Sequence, residues 1–185
     1  PSGDTVIETD DEVFFIAARE HITAVMGELR KAEKPFRRVI IAGGGNIGAR
    51  LAAATEDNYD VRIMELNPQR AQNLADQLSS AVVINGGATD RELLLEENID
   101  QCDAFCAVTD DDEINVMSSL MAKRLGVRQV ITLIGKTAYV DLVQGGEIDV
   151  AISPQQATIG TLLSYVRRAD VARVHSLRRG AAEAI

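Results

Sequence analysis

The chain has 185 residues, of which 46% are hydrophobic and 4% aromatic, and its formal net charge is −9 at pH 7. This length suits one ordinary domain with an aliphatic core plus an appendage. The negative charge argues against nucleic acid as a partner and against anionic membrane surfaces, because phosphates need a basic face. No apolar run approaches the length of a membrane span. With no signal-peptide pattern and no initiator Met, we expect a piece of a longer, cytoplasmic chain.

Residues 1–34 combine two strand patterns with one helical stripe. Residues 5–8 and 12–18 are apolar enough for short strands, and residues 19–30 carry apolar side chains at helical spacing. Such a short strand–strand–helix unit cannot bury a core of its own. We therefore expect the end of a preceding α+β domain, joined by a charged linker to the segment that begins at Pro35.

From residue 35 onward, short strands alternate with helices. The predicted strands are 38–42, 60–65, 81–84, 104–108, 129–134 and 150–152. The predicted helices are 46–57, 68–79, a segment around Leu93–Leu95, 112–125, and a short helix that ends near Gly145 and Gly146. Repeated units of this kind predict an α/β fold at 35–154, a Rossmann-like, doubly wound parallel sheet with strand order 3-2-1-4-5-6.

Two helices carry apolar stripes that need cover. The stripe of 112–125 consists of Ile114, Met117, Leu120, Met121 and Leu125. The stripe of a helix at 155–168 consists of Ile159, Leu162, Leu163 and Val166. We expect the first helix to pack on the strands and the second to leave the domain and find cover elsewhere. Residues 171–177 then alternate like an edge strand for which the sequence shows no partner.

A glycine-rich turn after the first strand organises the segment. The glycines fall as Gly43-x-Gly45-x-x-Gly48, the spacing typical of a dinucleotide site. Gly43 permits the tight turn, Gly45 lets the backbone approach a pyrophosphate, and Gly48 lets the helix lie close to the sheet. Backbone N–H groups of the first helical turn, at Asn46 and Ile47, would then point at the phosphates.

Residues after the second strand complete the adenosine half of the predicted site. Glu65 lies about 20 residues after the first glycine, where a carboxylate accepts hydrogen bonds from ribose hydroxyls. It would repel a 2′-phosphate, which favours NAD or another adenine nucleotide over NADP. The alternative for Glu65 is a solvated strand end. Leu66 follows it, and Arg70 either reaches the phosphates or the adenine edge or is a surface cation.

Loops after the third and fourth strands border the predicted ligand. Gly87 and Ala88 offer backbone and a small side chain beside the adenine, with a plain loop as the alternative. Thr109 and Asp110 lie at the switch point of the sheet and should edge the ligand's second half. The acidic run 109–113 also suits a helix start, with a Thr or Asp cap and carboxylates that complement the dipole. A divalent-cation site in this run has no further support.

The sequence shows no catalytic set beside this site. No Tyr has a Lys four residues later, and neither His lies near the predicted pocket in sequence. Cys102 and Cys106 lack the spacing of a zinc or redox pair, so we expect buried thiols and no metal site. A hydride-transfer enzyme needs an acid–base group and a substrate pocket, so these absences disfavour an NAD-dependent oxidoreductase.

Four segments, taken in order, resemble the RCK (TrkA-N) domains that regulate potassium channels and transporters. The segments are Val39–Gly48, Glu65–Arg70, Gly86–Asp90 and Val108–Asn115. The resemblance covers nearly the whole chain. It implies that 1–34 ends one TrkA-C domain, that 35–154 is a nucleotide domain, and that 155–185 is a crossover helix with the start of a second TrkA-C domain.

The resemblance implies a non-enzymatic regulatory subunit that binds NAD or NADH, with ATP or ADP as alternatives. It would form homo-oligomers through RCK domains and gate an integral-membrane potassium transporter of the Trk type from the inner face of the plasma membrane. Two positions depart from the family pattern: Gly87 stands where Asp is frequent, and Asn46 stands where ATP-preferring relatives have Arg. The second departure tilts the ligand toward NAD or NADH. The alternatives are an NAD-dependent oxidoreductase with unrecognised catalytic residues and an assembly scaffold with a vestigial site.

Overall fold

The computed structural model describes residues 35–136, 139–140, 143, 146–166, 175–177 and 182–184, and the single residues 6, 8, 18, 21, 24 and 27. The strands are β1 (Arg38–Ala42), β2 (Asp60–Glu65), β3 (Val82–Asn85), β4 (Ala104–Ala107), β5 (Gln129–Leu133), β6 (Val150–Ile152), β7 (His175–Leu177) and β8 (Ala182–Ala184). The helices are α1 (Asn46–Thr55), α2 (Pro68–Gln77), α3 (Arg91–Glu96), α4 (Asp112–Arg124) and α5 (Pro154–Val166), with a 3-10 turn at Ile99–Gln101. The predicted bounds of strands β1–β6 agree with these to within one residue.

Six parallel strands of the described residues form a sheet in the order β3-β2-β1-β4-β5-β6, which confirms the predicted fold class. β1 lies at the centre and pairs with β2 on one side and β4 on the other. Helices cover both faces, so neighbouring residues of β1 are buried alike: Ile40, Ile41 and Ala42 are all 0% exposed. The chain leaves β1 toward β2 and leaves β4 toward β5, so the loops after β1 and β4 diverge and open a crevice.

Right-handed crossovers place different helices on the two faces of the sheet. On one face, Ala52 of α1 and Leu74 of α2 pack against Ile41 and Ile63. On the other face, a larger cluster joins the strands to α3 and α4 around the fully buried Phe105. An apolar groove, described below, lies on the α1 face beside β4 and β5.

The buried face of α4 differs from the predicted stripe. Ile114 and Met117 are 38% and 57% exposed, so the prediction that they pack on the strands is wrong. The other members of the stripe pack, partly buried, against the core: Leu120, Met121 and Leu125. The residues that α4 buries fully are Asn115, Ser118, Ser119 and Ala122. Small residues let this helix approach the sheet closely, and their polar groups are satisfied there, since Thr132 Oγ1 donates to Ser119 Oγ at 2.7 Å.

The chain continues beyond the sheet into a second compact unit that contains β7 and β8. These strands pair antiparallel, with His175 opposite Ala184 and Leu177 opposite Ala182. β7 has no partner in the six-stranded sheet, as expected, and pairs instead with β8 in a separate sheet. The sequence did not indicate β8, because Ala-Glu-Ala has little β-propensity. Residues 171–174, most of the elements predicted within 1–34, and part of the short helix before Gly146 lie outside the described residues. In the parts of the chain that are described, every helix falls short of the length or hydropathy that a bilayer crossing requires.

A glutamate at the C-terminal end of α1 holds the loop that follows α2. Glu56 Oε2 accepts hydrogen bonds from the backbone N–H groups of Ser79, Ser80 and Ala81 at 2.9, 2.7 and 2.9 Å. The bonds from Ser80 and Ala81, followed by that from Ser79, lower the pKa of Glu56 because they favour its ionised form. This carboxylate therefore joins the two helices of one face at the edge opposite the crevice.

We expect Glu56→Gln to lower the melting temperature at neutral pH, since an amide accepts these N–H groups less strongly. A pKa that is depressed in the folded state contributes stability that is complete above the unfolded value of 4.5 and is lost as the pH falls through the folded value. The difference in Tm between wild type and variant should therefore shrink on acidification below pH 4.5. Circular dichroism melts over a pH series measure this, and a difference that stays constant would contradict the assignment.

Candidate functional site

The glycine loop after β1 lies side by side with the loop after β4. Gly43 has a φ of +110°, which L side chains rarely adopt, and a Cβ at Gly43 would lie 2.9 Å from the backbone of Thr109. Val108 N donates to Ala42 O at 2.8 Å just before the two loops separate. Gly43 and Thr109, two residues of the predicted site, are thus brought together at the switch point of the sheet.

The other two glycines of the motif have different surroundings. A Cβ at Gly48 would overlap the carbonyl oxygen of Gly43, so the first turn of α1 closes on the loop with no room for a side chain. A Cβ at Gly45 would meet no atom of the described residues within 4 Å. The φ of −71° at Gly45 also suits any residue. Gly45 therefore borders open space, at the position where the sequence predicts a pyrophosphate.

The N-terminus of α1 opens into the same space. Its N-cap is Gly45, which has no side chain to accept a hydrogen bond from the first turn. The first N–H groups of a helix have no acceptor within it, and the helix dipole gives this end a partial positive charge. Asn46 is exposed, and Ile47 is 48% exposed. A phosphate placed here would accept several backbone hydrogen bonds.

Glu65 lies beneath the glycine loop, with a side chain that is only 6% exposed. Its Oε2 accepts a hydrogen bond from Gly44 N at 3.0 Å, and its Oε1 accepts one from Asn67 N at 2.7 Å. Arg70 Nη2 lies 3.3 Å from Oε1. The carboxylate therefore fixes the turns after β1 and β2, a role that the sequence analysis missed. The solvated strand end is excluded by this burial. Oε1 is the less buried of the two oxygens, because its bond from Asn67 N is only partly buried, and it can accept from a hydroxyl donor in place of Arg70.

Leu66 and Gly87 form an apolar shelf on the β2–β3 side of the crevice. Leu66 is 72% exposed, although its backbone is held: Asn85 Nδ2 donates to Leu66 O at 3.2 Å and to Glu65 O at 2.8 Å. A Cβ at Gly87 would lie 3.8 Å from Leu66 Cδ1. Ala88 is buried behind the shelf at 8% exposure. An exposed leucine beside bare backbone suits the apolar face of a planar base.

Asn115, which the sequence analysis missed, ties the loop after β4 to the end of β5. It is fully buried. Its Oδ1 accepts hydrogen bonds from Thr109 N at 2.9 Å and Thr109 Oγ1 at 2.7 Å, and its Nδ2 donates to Thr109 O and Leu133 O, both at 3.0 Å. In the sequence, the signal for this role was a polar residue next to the apolar stripe of α4. Because four hydrogen bonds converge on one amide, Thr109 has a fixed backbone at the crevice.

The acidic run after Thr109 starts α4. Asp111 Oδ1 accepts a hydrogen bond from Ile114 N at 2.8 Å, which confirms the predicted Asp cap. Asp112 accepts from the backbone N–H groups of Gly135 and Lys136, each at 2.8 Å. These two carboxylates are therefore engaged by backbone groups and hold the loops that surround the helix start.

Glu113 and Asp110 are the two other carboxylates at the start of α4. Glu113 Oε1 accepts hydrogen bonds from Lys136 Nζ at 2.8 Å and from the Tyr139 hydroxyl at 2.9 Å. Those two bonds, the one from Lys136 first, lower the pKa of Glu113 to about 2. Asp110 is exposed at the mouth of the crevice. Within the described ranges, no three His, Cys, Asp or Glu side chains are grouped to hold a metal ion.

Both cysteines are free and buried, which confirms the expectation of buried thiols. Cys102 is 3% exposed and Cys106 is 7% exposed. Burial raises the pKa of each thiol to about 11. Neither group is a thiolate at neutral pH, so neither supplies a nucleophile to the crevice.

Relatives of known name match the whole chain. It is 64% identical over 185 residues to the Trk system potassium uptake protein TrkA of Halomonas elongata. It is 61% identical over 185 residues to the protein of the same name from Vibrio alginolyticus. Each alignment covers 100% of this chain and 40% of the relative, so the chain spans about 40% of the length of these relatives.

Solved structures of low sequence identity share the fold. The TrkA-N domain of the inner membrane protein ybaL from Escherichia coli superposes with a TM-score of 0.64 at 12% identity, covering 73% of this chain and 100% of that chain. The GsuK channel bound to NAD superposes with a TM-score of 0.60 at 18% identity, covering 78% of this chain and 28% of that chain. The TrkA-N domain family itself matches residues 39–154. With more than half of its length inside that match, the chain belongs to the TrkA-N domain family.

Proposed function

We propose that this chain binds NAD or NADH in the crevice between the loops after β1 and β4, as part of a regulatory subunit of a potassium uptake system. The observation that carries the proposal is the N-terminus of α1, which has no side-chain cap. Beside it, at Gly45, a Cβ would meet no atom of the described residues within 4 Å. The shelf of Leu66 and Gly87 would receive the adenine, and Glu65 would receive the ribose. The potassium role is supported by the relatives, which are named as potassium uptake proteins.

Charges at the crevice favour a ligand with two phosphates over one with three. Position 46 is a neutral Asn, so the loop offers no cation for a γ-phosphate. Asp110 is exposed where the ligand's second half would lie, and a carboxylate repels further phosphates there. Structures of the GsuK channel have been solved with NAD and with ADP. We therefore place NAD or NADH ahead of ATP, with ADP as the alternative that has the same number of phosphates.

Glu65→Ala is expected to weaken NADH binding by about 10-fold or more, because the ribose hydroxyls lose a charged acceptor worth roughly 1.5–3 kcal/mol. The same change loosens Gly44, which adds to the loss. Isothermal titration calorimetry with NADH measures it. Glu56→Ala is the matched control, since it removes another backbone-binding glutamate at the far end of α1 and should keep the affinity. An unchanged dissociation constant in Glu65→Ala would contradict the proposed ribose contact.

The proposed role is sensing rather than catalysis. A ligand shifts a conformational equilibrium only by its difference in affinity for the two states, and coupling energies of about 1–3 kcal/mol are typical. An oxidoreductase would instead turn over NADH with a second substrate. Absorbance at the NADH band, followed with candidate carbonyl substrates, separates the two: turnover in wild type that Gly45→Val abolishes would favour the enzyme.

The proposed output is control of an integral-membrane potassium transporter of the Trk type, from the inner face of the plasma membrane. The test is potassium flux into vesicles that carry the transporter, with the full-length regulator and with NAD, NADH, ADP or ATP added in turn. We expect NAD or NADH to change the flux. Flux that ignores every nucleotide would refute regulation, and flux that responds to ADP or ATP alone would overturn the ligand choice while keeping the regulatory role.

We also propose that the chain self-associates through its apolar surfaces. A groove of about 230 Å³ lies on the α1 face of the sheet. Its lining consists of Phe36, Val39, Leu51, Thr55, Tyr59, Ala104, Cys106, Gln129 and Ile131. On α5, Ile159 and Leu162 are each 56% exposed and one helical turn apart. An exposed apolar helix and an apolar groove in the same chain favour association with a second copy.

Leu162→Glu is expected to shift the chain toward monomer, because a buried charge in an apolar groove is unfavourable. Sedimentation equilibrium over a concentration series measures the association constant, which should fall at least about 10-fold. Leu95→Glu is the control: Leu95 is 41% exposed on α3, and it belongs neither to α5 nor to the lining of the groove. A wild-type chain that remains monomeric at all concentrations would refute self-association.

A further inference from the structure

The part of Glu65 that a ribose must reach is covered by Arg70. The Glu65 side chain is 6% exposed, whereas the Arg70 side chain above it is 59% exposed. Gly44 N donates to Oε2, and Asn67 N donates to Oε1. Arg70 Nη2 approaches Oε1 at 3.3 Å from the solvent side. Oε1 is the less buried of the two oxygens and already has Asn67 N as a donor, so a ribose hydroxyl that binds Oε1 has to take the place of the guanidinium.

The backbone of Arg70 is fixed, but its guanidinium is held weakly. Arg70 N donates to the Asn67 side chain at 3.0 Å, which caps α2 and anchors the residue in the first turn. Within the described residues, the pairing with Glu65 is the contact recorded for the guanidinium, and its 3.3 Å length is long for a charge-assisted bond. The Arg70 end of the pair is 59% exposed, so solvent weakens the contact, and the guanidinium can exchange it for a better one.

A better partner for Arg70 would arrive with the ligand. Gly44 and Arg70 contact the same carboxylate from two sides, so the glycine loop lies beside the guanidinium. A pyrophosphate on that loop would therefore come within reach of a rotated Arg70 side chain. Arginine binds phosphate oxygens bidentately, which is stronger than a single contact to a carboxylate that is already engaged.

We propose that nucleotide binding displaces Arg70 from Glu65 and that the released guanidinium pairs with the pyrophosphate of the ligand. The inference rests on the proposed nucleotide site and adds a specificity to it. A nucleoside breaks the ion pair and supplies no phosphate, whereas a nucleoside diphosphate replaces the lost contact. Arg70 thereby makes the site select nucleoside diphosphates over nucleosides.

The test is a pair of titrations, with adenosine and with ADP, on wild type and Arg70→Ala. We expect ADP to bind about 10-fold or more weakly to the variant, because a charge-assisted phosphate contact is lost. We expect adenosine to bind about two- to fivefold more tightly, because it no longer competes with an ion pair. Arg70→Lys should keep part of the ADP affinity. Melting temperatures without ligand check that each variant is folded.

Opposite changes for the two ligands distinguish displacement from simpler roles. If Arg70→Ala weakens both ligands equally, Arg70 only orders Glu65, and the inference is wrong. If it changes neither, Arg70 is a surface cation, and the inference is also wrong. In a Glu65→Gln background the ion pair is absent, so Arg70→Ala should no longer tighten adenosine; persistent tightening would overturn the mechanism. Wild type that binds neither ADP nor NADH would instead refute the proposed function itself.

Discussion

Gly45→Val should abolish nucleotide binding while the domain remains folded. A Cβ at this position meets no described atom within 4 Å, and the backbone φ of −71° suits valine, so the change does not disturb the protein itself. The branched side chain would instead fill the space above the N-terminus of α1, where a pyrophosphate must approach the backbone N–H groups. Loss of those phosphate contacts should reduce the affinity for NADH by at least about 100-fold.

Calorimetric titration with NADH gives the affinity of Gly45→Val, and a thermal melt shows whether the fold survives. Gly45→Ala is the graded comparison, since one methyl group leaves more room than an isopropyl group. We expect its affinity to fall between those of wild type and Gly45→Val. A folded Gly45→Val variant that keeps the wild-type affinity for NADH would show that the ligand binds elsewhere.

Gly48→Ala should unfold or strongly destabilise the domain. The added Cβ would overlap the carbonyl oxygen of Gly43 and would lie 3.3 Å from Val108 Cγ2. The first clash is with backbone, so no side-chain rotation relieves it, and the turn between β1 and α1 has to open. Overpacking in a core commonly lowers the free energy of unfolding by about 1–3 kcal/mol. The clash with the backbone of the turn after β1 should cost more than that, because the backbone cannot move aside as a side chain can.

Urea unfolding measures the loss in Gly48→Ala as a decrease in midpoint concentration. Gly87→Ala is the matched control, because its Cβ would lie 3.8 Å from Leu66 Cδ1, an ordinary contact distance. The control should keep the wild-type midpoint. A Gly48→Ala variant with wild-type stability would show that the loop rearranges without loss, and the tight closure described above would then be incorrect.

The architecture of the sheet was predictable from sequence because two structural rules supplement the hydrophobic pattern. The glycine motif identifies β1 as the strand before the crevice, and right-handed crossovers then fix where each later strand is added. The face that α4 buries was not predictable in this way. Apolar periodicity favoured Ile114 and Met117, but the structure buries Asn115, Ser118 and Ser119. Asn115 and Ser119 have partners on β5, at Leu133 and Thr132, whereas Ser118 donates to the Asn115 carbonyl within α4. The division of the remaining chain into TrkA-C pieces stays a prediction.

The candidate site was predictable where it depends on the local backbone. It was less predictable where it depends on hydrogen bonds to residues elsewhere in the sequence. Gly43 and Thr109 meet as expected, because both follow strands that flank the switch point. The double role of Glu65 was hidden, since its partners are the main-chain N–H groups of Gly44 and Asn67, which leave no trace in a side-chain pattern. Asn115 left one sequence signal, a polar residue beside the apolar stripe of α4, but its partners at Thr109 and Leu133 could not be read from the pattern.

The buried thiol of Cys102, just before β4, gives this protein a built-in reporter of local opening. Cys102 is 3% exposed and burial raises its pKa to about 11, so an alkylating reagent reacts with it only after this part of the domain has transiently opened, whereas Cys106 borders the apolar groove. Under conditions where reclosing outpaces labelling, the rate of alkylation measures the free energy of that opening. Because β4 leads directly into the loop of Thr109, the same rate followed with and without a nucleotide would show how far an occupied crevice rigidifies the centre of the domain.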